Sequence, residues 1–190
     1  MALAHRERVL RAATSSFLAH GYRSSVDHIA RRAGVAKQTV YHHFPTKDEL
    51  FKAVARDLAK QVLVGLEGEP QALRAGLLRF ARAYRRRVLG AQGIATFRSV
   101  VPEVPRFPAL ARAMYATSAG VLIERLSAYL ARAMDAGVLR RDDPQLAAEV
   151  LLGMLAGHDR IKRLFGIACA EPEPRRSTRL VDCFLRAYSP

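Results

Sequence analysis

A short stretch of this 190-residue chain carries consecutive side chains that can hydrogen-bond to another molecule. Lys37, Gln38 and Thr39 stand close behind the turn-forming pair Gly34-Val35. The amide of a glutamine can bond N6 and N7 of an adenine together, and the ammonium of a lysine can reach O6 or N7 of a guanine. Side chains of these types in this order favour recognition of the base edges of double-stranded DNA.

Two short helices joined by a tight turn must position these side chains. Ser25 can cap a helix over residues 26–33, and Gly34 can end it. A second helix over residues 37–43 follows, with Val40 facing inward. The pattern predicts a helix-turn-helix.

The second helix of this motif has a polar outer face. On a wheel of about 100° per residue, Gln38 and His42 lie opposite Val40, while Thr39 and Tyr41 lie on the two flanks. Such a helix fits the major groove of B-DNA, where its first residues reach base edges and its flanks reach phosphates. His43 lies on the shoulder of the inward face, which leaves packing and contact with DNA equally open for it.

The remainder of the chain has helical periodicity, and we find no convincing strand. The box Thr46-Lys47-Asp48-Glu49 predicts the start of a helix that runs to about residue 64. The sequence is therefore predicted to be all-α, with a three-helix head and a larger helical bundle. Further helices are expected over residues 3–20, about 73–90, 94–101, about 109–136, about 144–166 and about 174–188.

Composition points to a folded body with a polyanionic partner. Half of the residues are hydrophobic, and 31 Lys+Arg against 17 Asp+Glu give a formal net charge of +14. Cys169 and Cys183 make neither a disulfide framework nor a zinc site. The longest nearly uncharged stretch, residues 146–157, is too short to span a bilayer. We expect a soluble, cytoplasmic protein that requires no metal and no other cofactor and has no membrane partner.

Residues 9–54 resemble the DNA-binding domain of TetR-family transcriptional regulators. The resemblance rests on many spaced positions: Ala12-Ala13, Phe17, Gly21-Tyr22, Ser25, Ile29-Ala30, Ala33-Gly34-Val35, Thr39-Val40-Tyr41, His43-Phe44, Lys47 and Leu50. Residues 94–166 resemble the AefR-like subset, with Phe97-Arg98, a Phe107-Pro108 turn and Gly137-Val138-Leu139. The resemblance implies a DNA-binding head, an effector domain, a homodimer and mostly repressor activity.

The resemblance also implies domain limits and a set of DNA contacts. We predict a helix-turn-helix domain over residues 1–47 and a ligand-binding and dimerisation domain over 48–190, with 48–64 as the connecting helix. Lys37 and Gln38 are the predicted base readers, and Tyr41 and Lys47 the predicted phosphate contacts. The full predicted set is Ser25, Lys37, Gln38, Thr39, Tyr41, His42 and Lys47.

One position departs from the family pattern. Many members carry Ser or Thr after Gly-Val, where it caps the second helix of the motif and often touches a phosphate, but this chain has Ala36. Loss of such a cap costs about 1 kcal/mol of local stability. Ser25, Tyr41, Lys47 and the helix N-termini must then hold the register on DNA.

The C-terminal half supplies aromatic and sulfur-containing residues on the helices that line the effector cavity in this family. Each of them alone is more often ordinary core, but together they would build an apolar pocket with Tyr84, Tyr115 and His158 as polar anchors. The predicted set is Phe80, Tyr84, Phe97, Phe107, Met114, Tyr115, Met154 and His158. The predicted effector is a small apolar or amphipathic molecule.

The last two predicted helices are the expected dimer interface. The helix over 144–166 is apolar nearly all round between residues 146 and 157, and the last helix has one apolar stripe. Burial within one chain is the alternative, whereas the family pairs two such helices from each protomer across a two-fold axis. The predicted interface residues are Leu151, Leu155, Leu180, Val181, Phe184, Leu185 and Tyr188.

Other kinds of site are weaker alternatives. Five of the six histidines lie in the first 43 residues, but their spacing does not favour a metal site. The run Arg85-Arg86-Arg87 is interpreted as a solvated helix face rather than a second nucleic-acid patch. No nucleophile elbow, phosphate loop or paired-carboxylate arrangement indicates an enzyme. A nonspecific architectural DNA binder and a constitutive regulator without a ligand stay open.

Overall fold

A computed structural model describes residues 2–63, 66–169 and 171–190. Within these ranges the chain forms ten α-helices and no β-strand, which confirms the predicted all-α class. The helices are α1 (Ala2–His20), α2 (Val26–Ala33), α3 (Lys37–His43), α4 (Lys47–Val62), α5 (Leu73–Leu89), α6 (Ala91–Val100), α7 (Pro108–Tyr115), α8 (Val121–Asp135), α9 (Pro144–Leu164) and α10 (Arg175–Ala187).

The chain divides into two compact units, and the first comprises the described residues up to Leu58 together with Ala95–Ser118. Val9, Ala13 and Phe17 recur every four residues on α1, and all three are buried. They pack against inward positions of the next three helices. The other members of this core include Ile29, Ala30, Val40, Phe44, Leu50, Phe51 and Val54, with Met114 of α7 packed against it.

The second unit comprises Ala59–Ile94 and Ala119–Pro190. Its core lies where α5, α8, α9 and α10 pack on one another. Each helix contributes fully buried side chains spaced three, four or seven residues apart, as expected for one inward stripe per helix. These residues include Leu77, Phe80, Leu126, Leu130, Leu151, Leu155, Val181 and Phe184.

A buried group of charges joins three helices of the second unit. Arg85 of α5 and Asp159 of α9 are only 4% and 6% exposed, and Arg85 Nη1 lies 2.9 Å from Asp159 Oδ2. Arg176 of α10 donates to the same carboxylate oxygen at 3.3 Å. Arg85 also donates to the carboxylate of Glu173 and to the carbonyl of Leu155. The prediction of a solvated face is therefore wrong for Arg85, because its charge is compensated inside the fold.

The long helix predicted over about 109–136 is interrupted. α7 ends at Tyr115, a π-helical turn occupies Ala116–Gly120, and α8 begins at Val121. The hydroxyl of Thr117 donates to the carbonyl of Ala113 at 2.8 Å, and that of Ser118 donates to the carbonyl of Met114. Side-chain bonds of this kind compete with regular helix geometry.

The two units group the chain in a way that periodicity did not indicate. Ala95–Ser118 is far along the sequence from the helix-turn-helix, yet it belongs to the same compact unit. The division into domains at residues 47 and 48 stays a prediction. The predicted helix end at residue 64 lies outside the described residues, and α4 is described to Val62.

Candidate nucleic-acid interface

The turn between α2 and α3 is fixed by local chemistry. Ser25 has an extended backbone, and its hydroxyl oxygen accepts a bond of 3.1 Å from the backbone N–H of His28. At the other end of α2, Gly34 adopts a left-handed conformation with φ of +65°. The backbone N–H of Val35 then reaches the carbonyl of Ala30 at 3.1 Å. These contacts form the predicted helix-turn-helix.

Ala36 stands at the N-cap of α3 with an extended backbone and no side-chain cap. The orientation of α3 depends instead on burial of Val40, which is 1% exposed, and on Phe44 directly after the helix. Burial of these two side chains holds α3 against α1 and α2 and points the opposite face outward.

The outward face of α3 carries most of the side chains that the sequence predicts to contact DNA. Lys37, Gln38, Tyr41 and His42 are exposed, and Thr39 is half-buried on a flank. His43 is half-buried, and its pKa is lowered by burial and by its cationic neighbours. The arrangement presents a polar face of about two helical turns.

Lys37 has an internal partner that sequence reasoning missed. Its Nζ lies 3.0 Å from Oδ2 of Asp27 on α2, and this bond and charge raise the pKa of Lys37. Both side chains are more than half exposed, and water screens an exposed ion pair, so the pair contributes little to stability. Lys37 can therefore exchange Asp27 for an acceptor on DNA at low cost. Gln38 is exposed beside it.

Tyr22 positions Lys47 and, like Asp27, was not in the predicted set of site residues. The Nζ of Lys47 lies 4.2 Å from the centroid of the Tyr22 ring, and burial lowers the pKa of Lys47. The Tyr22 hydroxyl donates to Asp48, and burial together with that carboxylate raises the pKa of Tyr22 to about 12. The resemblance contained a signal for this role, because Tyr22 was among the matched positions.

The predicted capping box at the start of α4 forms only in part. The backbone N–H of Glu49 donates to Oγ1 of Thr46 at 3.1 Å, as expected for a cap. The Glu49 carboxylate pairs instead with Lys52 at 2.9 Å. The cap still fixes the first turn of α4, which carries Lys47.

Two residues predicted for the effector cavity contact the head in the first unit instead. The rings of Phe107 and Tyr22 are 6.2 Å apart, and Phe107 and Met114 line a small cavity of about 40 Å³ together with Phe51. Small-molecule sites are about 300–1,000 Å³, so this cavity is too small for one. Phe97 and Tyr115 of the same unit are exposed.

The other predicted effector residues lie in the second unit. Phe80 and Tyr84 stack at 5.8 Å inside the core, and burial raises the pKa of Tyr84. Met154 packs partly against that core, while His158 is exposed. Close packing uses Phe80 and Tyr84 as core of this unit, and the placement of all eight residues around one effector pocket stays a prediction.

The predicted dimer residues are also mostly core. Leu151, Leu155, Val181 and Phe184 have no exposed surface in a single chain, and Tyr188 stacks on Phe184 at 4.6 Å. These five cannot present a face to a partner without opening the second unit. Leu180 and Leu185 are half-buried.

Neither a metal cluster nor a membrane-spanning helix occurs among the described residues. No group of three or more His, Cys, Asp or Glu among them is arranged to hold a metal ion. No helix in the described part of the chain is both long and apolar enough to cross a membrane.

Comparison with known families agrees with this geometry. Residues 9–54 match the family described as bacterial regulatory proteins of the TetR family, and residues 75–190 match the AefR-like transcriptional repressor C-terminal domain. The chain belongs to the TetR family. The second match covers more than half of this TetR-family chain, and the first coincides with the helix-turn-helix and the start of α4. The relatives are transcriptional regulators rather than enzymes.

Individual relatives resemble this TetR-family chain at moderate sequence identity. An uncharacterized HTH-type transcriptional regulator of Mycobacterium tuberculosis is 40% identical over 107 residues, which are 55% of this chain and 51% of that protein. This chain therefore matches about half the length of that curated relative. A TetR-family structure from Mesorhizobium loti has a TM-score of 0.79 at 27% identity, covering 100% of this chain and 99% of that one. The flavonoid-responsive regulator FrrA has a TM-score of 0.71 at 30% identity, covering 98% and 97%.

Proposed function

We propose that this TetR-family protein is a transcriptional repressor that binds a pseudo-palindromic operator as a homodimer and leaves it when a small effector binds. The observation that carries the DNA-binding part is the outward polar face of α3, held by the buried Val40 and by the left-handed turn at Gly34. A helix presented in this way can enter a major groove.

Gln38 and Lys37 are the proposed base readers. Gln38 is exposed at the centre of the polar face, and Lys37 stands at its N-terminal end with only an exposed ion pair to break. Ser25, Thr39, Tyr41, His42 and Lys47 are proposed to contact the backbone or flanking groups. The Ser25 oxygen already accepts the cap bond from His28, so its O–H stays able to donate to a phosphate.

Selection of bound sequences from a random DNA pool, followed by titration of variants, tests this part. Gln38→Ala should lose about 1–3 kcal/mol on the selected site and relax selectivity at one position per half-site. Lys47→Ala should weaken selected and random DNA alike and reduce the salt slope by about one. Gln71→Ala, an exposed glutamine in the second unit, is the control. Equal losses on random and selected DNA for Gln38→Ala would contradict base reading.

An apolar stripe on α9 supports the homodimer, on residues different from those the sequence suggested. Leu146 is 50% exposed and Ile161 54% exposed, and Val150 lies between them on the same face. Gly153 and Gly157 continue that face, and no atom of another described element lies within 4 Å of a Cβ built at either one. A flat apolar surface of this kind lets the same helix of a second copy approach closely across a two-fold axis.

Val150→Asp tests the dimer. A carboxylate at this position would be desolvated between the two helices, so we expect dissociation to be at least about a hundredfold easier, or roughly 2.7 kcal/mol. Val104→Asp is the matched control, since Val104 is 39% exposed and Val150 37% exposed. Sedimentation should give monomers for Val150→Asp alone. An unchanged dimer in that variant would place the interface elsewhere.

Response to a ligand is supported by likeness to FrrA, whose name describes it as flavonoid-responsive. The alternative is a constitutive regulator without a ligand. A screen for compounds that release operator DNA separates the two. Coupling between two binding sites is reciprocal. If an effector lowers the affinity for operator DNA by a given factor, operator DNA must lower the affinity for the effector by the same factor.

A further inference from the structure

A cleft in the second unit lies where α5 ends and α6 begins. Its volume is about 420 Å³, within the usual range of small-molecule sites. Arg86 and Arg87 line it together with Gln61 and Gln92, and none of the lining residues that the structure describes is acidic. The cleft therefore combines two positive charges with amide groups.

Neither arginine has a counter-ion among the residues that the structure describes. Within the described residues, no carboxylate oxygen lies within 4 Å of the guanidinium of Arg86 or Arg87. Arg87 is half-buried, and burial lowers its pKa. Both residues are in the last turn of α5, where the helix dipole favours a cation. The helix dipole explains why the last turn is basic. The charge of Arg87 is nevertheless partly desolvated and faces the cleft.

Small residues keep the cleft open. Gly90 and Gly93 are required at the corner, because a Cβ at Gly90 would lie 2.6 Å from the carbonyl oxygen of Arg86 and one at Gly93 would overlap that of Arg87. Ala83 and Ala91 also line the cleft. With so little side-chain volume beside them, the guanidinium groups can meet a ligand rather than other side chains.

We infer that this cleft binds a small organic acid, whose carboxylate lies between Arg86 and Arg87 while its apolar body lies against Val62 and Ala83. Arginine forks match a carboxylate with two parallel hydrogen bonds. The inference rests on the proposed ligand response and specifies the class of effector as anionic. An amphipathic acid satisfies both the charges and the apolar wall.

Calorimetry with the full chain and two isosteric probes, 2-naphthoate and 2-naphthamide, tests the inference. We expect naphthoate to bind at least tenfold more tightly than naphthamide. Arg87→Gln should weaken naphthoate binding at least tenfold, and Arg87→Lys should lose less because it keeps the charge. Arg82→Gln, on an exposed position of α5, is the matched control and should bind as the wild type does. Circular dichroism checks that each variant is folded.

The outcomes separate the cleft from the proposed function. Absence of saturable naphthoate binding, equal affinity for the two probes, or an unchanged affinity in Arg87→Gln would overturn the anion site. If naphthoate binds through Arg87 but leaves operator affinity unchanged, the cleft is a site and the ligand-responsive function fails. If an uncharged compound releases operator equally from wild type and Arg87→Gln, the function stands and the anionic class is wrong.

Discussion

Removing the charge of Asp159 should destabilise the second unit far more than removing the charge of a surface partner. Asp159 accepts from Arg85 and Arg176, and Arg85 is 4% exposed, so Asp159→Asn leaves a buried guanidinium with less compensation. Breaking a buried pair costs about 3–5 kcal/mol. Because Glu173 still faces Arg85, we expect the lower end, about 3 kcal/mol. At roughly 2–4 °C per kcal/mol for a chain of this size, the midpoint should fall by about 6–12 °C.

The assay is thermal unfolding by circular dichroism at fixed protein concentration, which holds any effect of self-association constant. Asp182→Asn is the matched control. Asp182 receives two bonds from Arg74, at 2.8 and 3.1 Å, but Arg74 is more than half exposed and water screens the pair. The control should therefore lose much less stability than Asp159→Asn. If the two variants unfold within about 2 °C of each other, burial does not determine how much the ion pair of Asp159 stabilises the protein.

Three further predictions concern pH, helix capping and DNA affinity. Burial would raise the pKa values of Asp159 and Glu173, but bonds and charges from Arg85, Arg176 and Ser177 outweigh burial and lower both. These carboxylates therefore stabilise the folded state above the ordinary carboxyl pKa of about 4, and that stabilisation is lost as the pH falls through their lower folded pKa values. In urea titrations, the free energy of unfolding should fall steeply at acid pH, and it should fall less steeply in Asp159→Asn. Ala36→Ser should raise the free energy of unfolding by about 1 kcal/mol in urea titrations, since α3 has no side-chain cap, and an unchanged midpoint would contradict that. Tyr22→Leu should weaken binding to selected and random DNA alike by about twofold to thirtyfold in titrations, because the ring contributes about 0.5–2 kcal/mol to placing Lys47. Tyr22→Phe keeps the ring and should retain most of the affinity. Equal losses in the two variants would exclude a role for the ring.

The helix-turn-helix could be derived from sequence because its determinants are local. Ser25 as a cap, Gly34 as a left-handed turn and Val40 as the inward residue of α3 act within a few residues of one another. The outward face of α3 follows from these three positions and the helical repeat. Tyr22 beneath Lys47 was not derivable in this way, because the two residues come from different elements and meet only after α4 packs on the head.

The helical class, the motif and the family all depend on short-range spacing, so they could be derived from the order of the residues. The packing of the helices determines which helix covers each apolar face. It buried Leu151 and Phe184 inside one chain and left the stripe from Leu146 to Ile161 uncovered. It also paired Arg85 with Asp159 across 74 positions, although the identical residues Arg86 and Arg87 beside it have no such partner within the described residues. The physical reason is that periodicity assigns residues to a common face, whereas burial and charge compensation depend on the element that packs against that face.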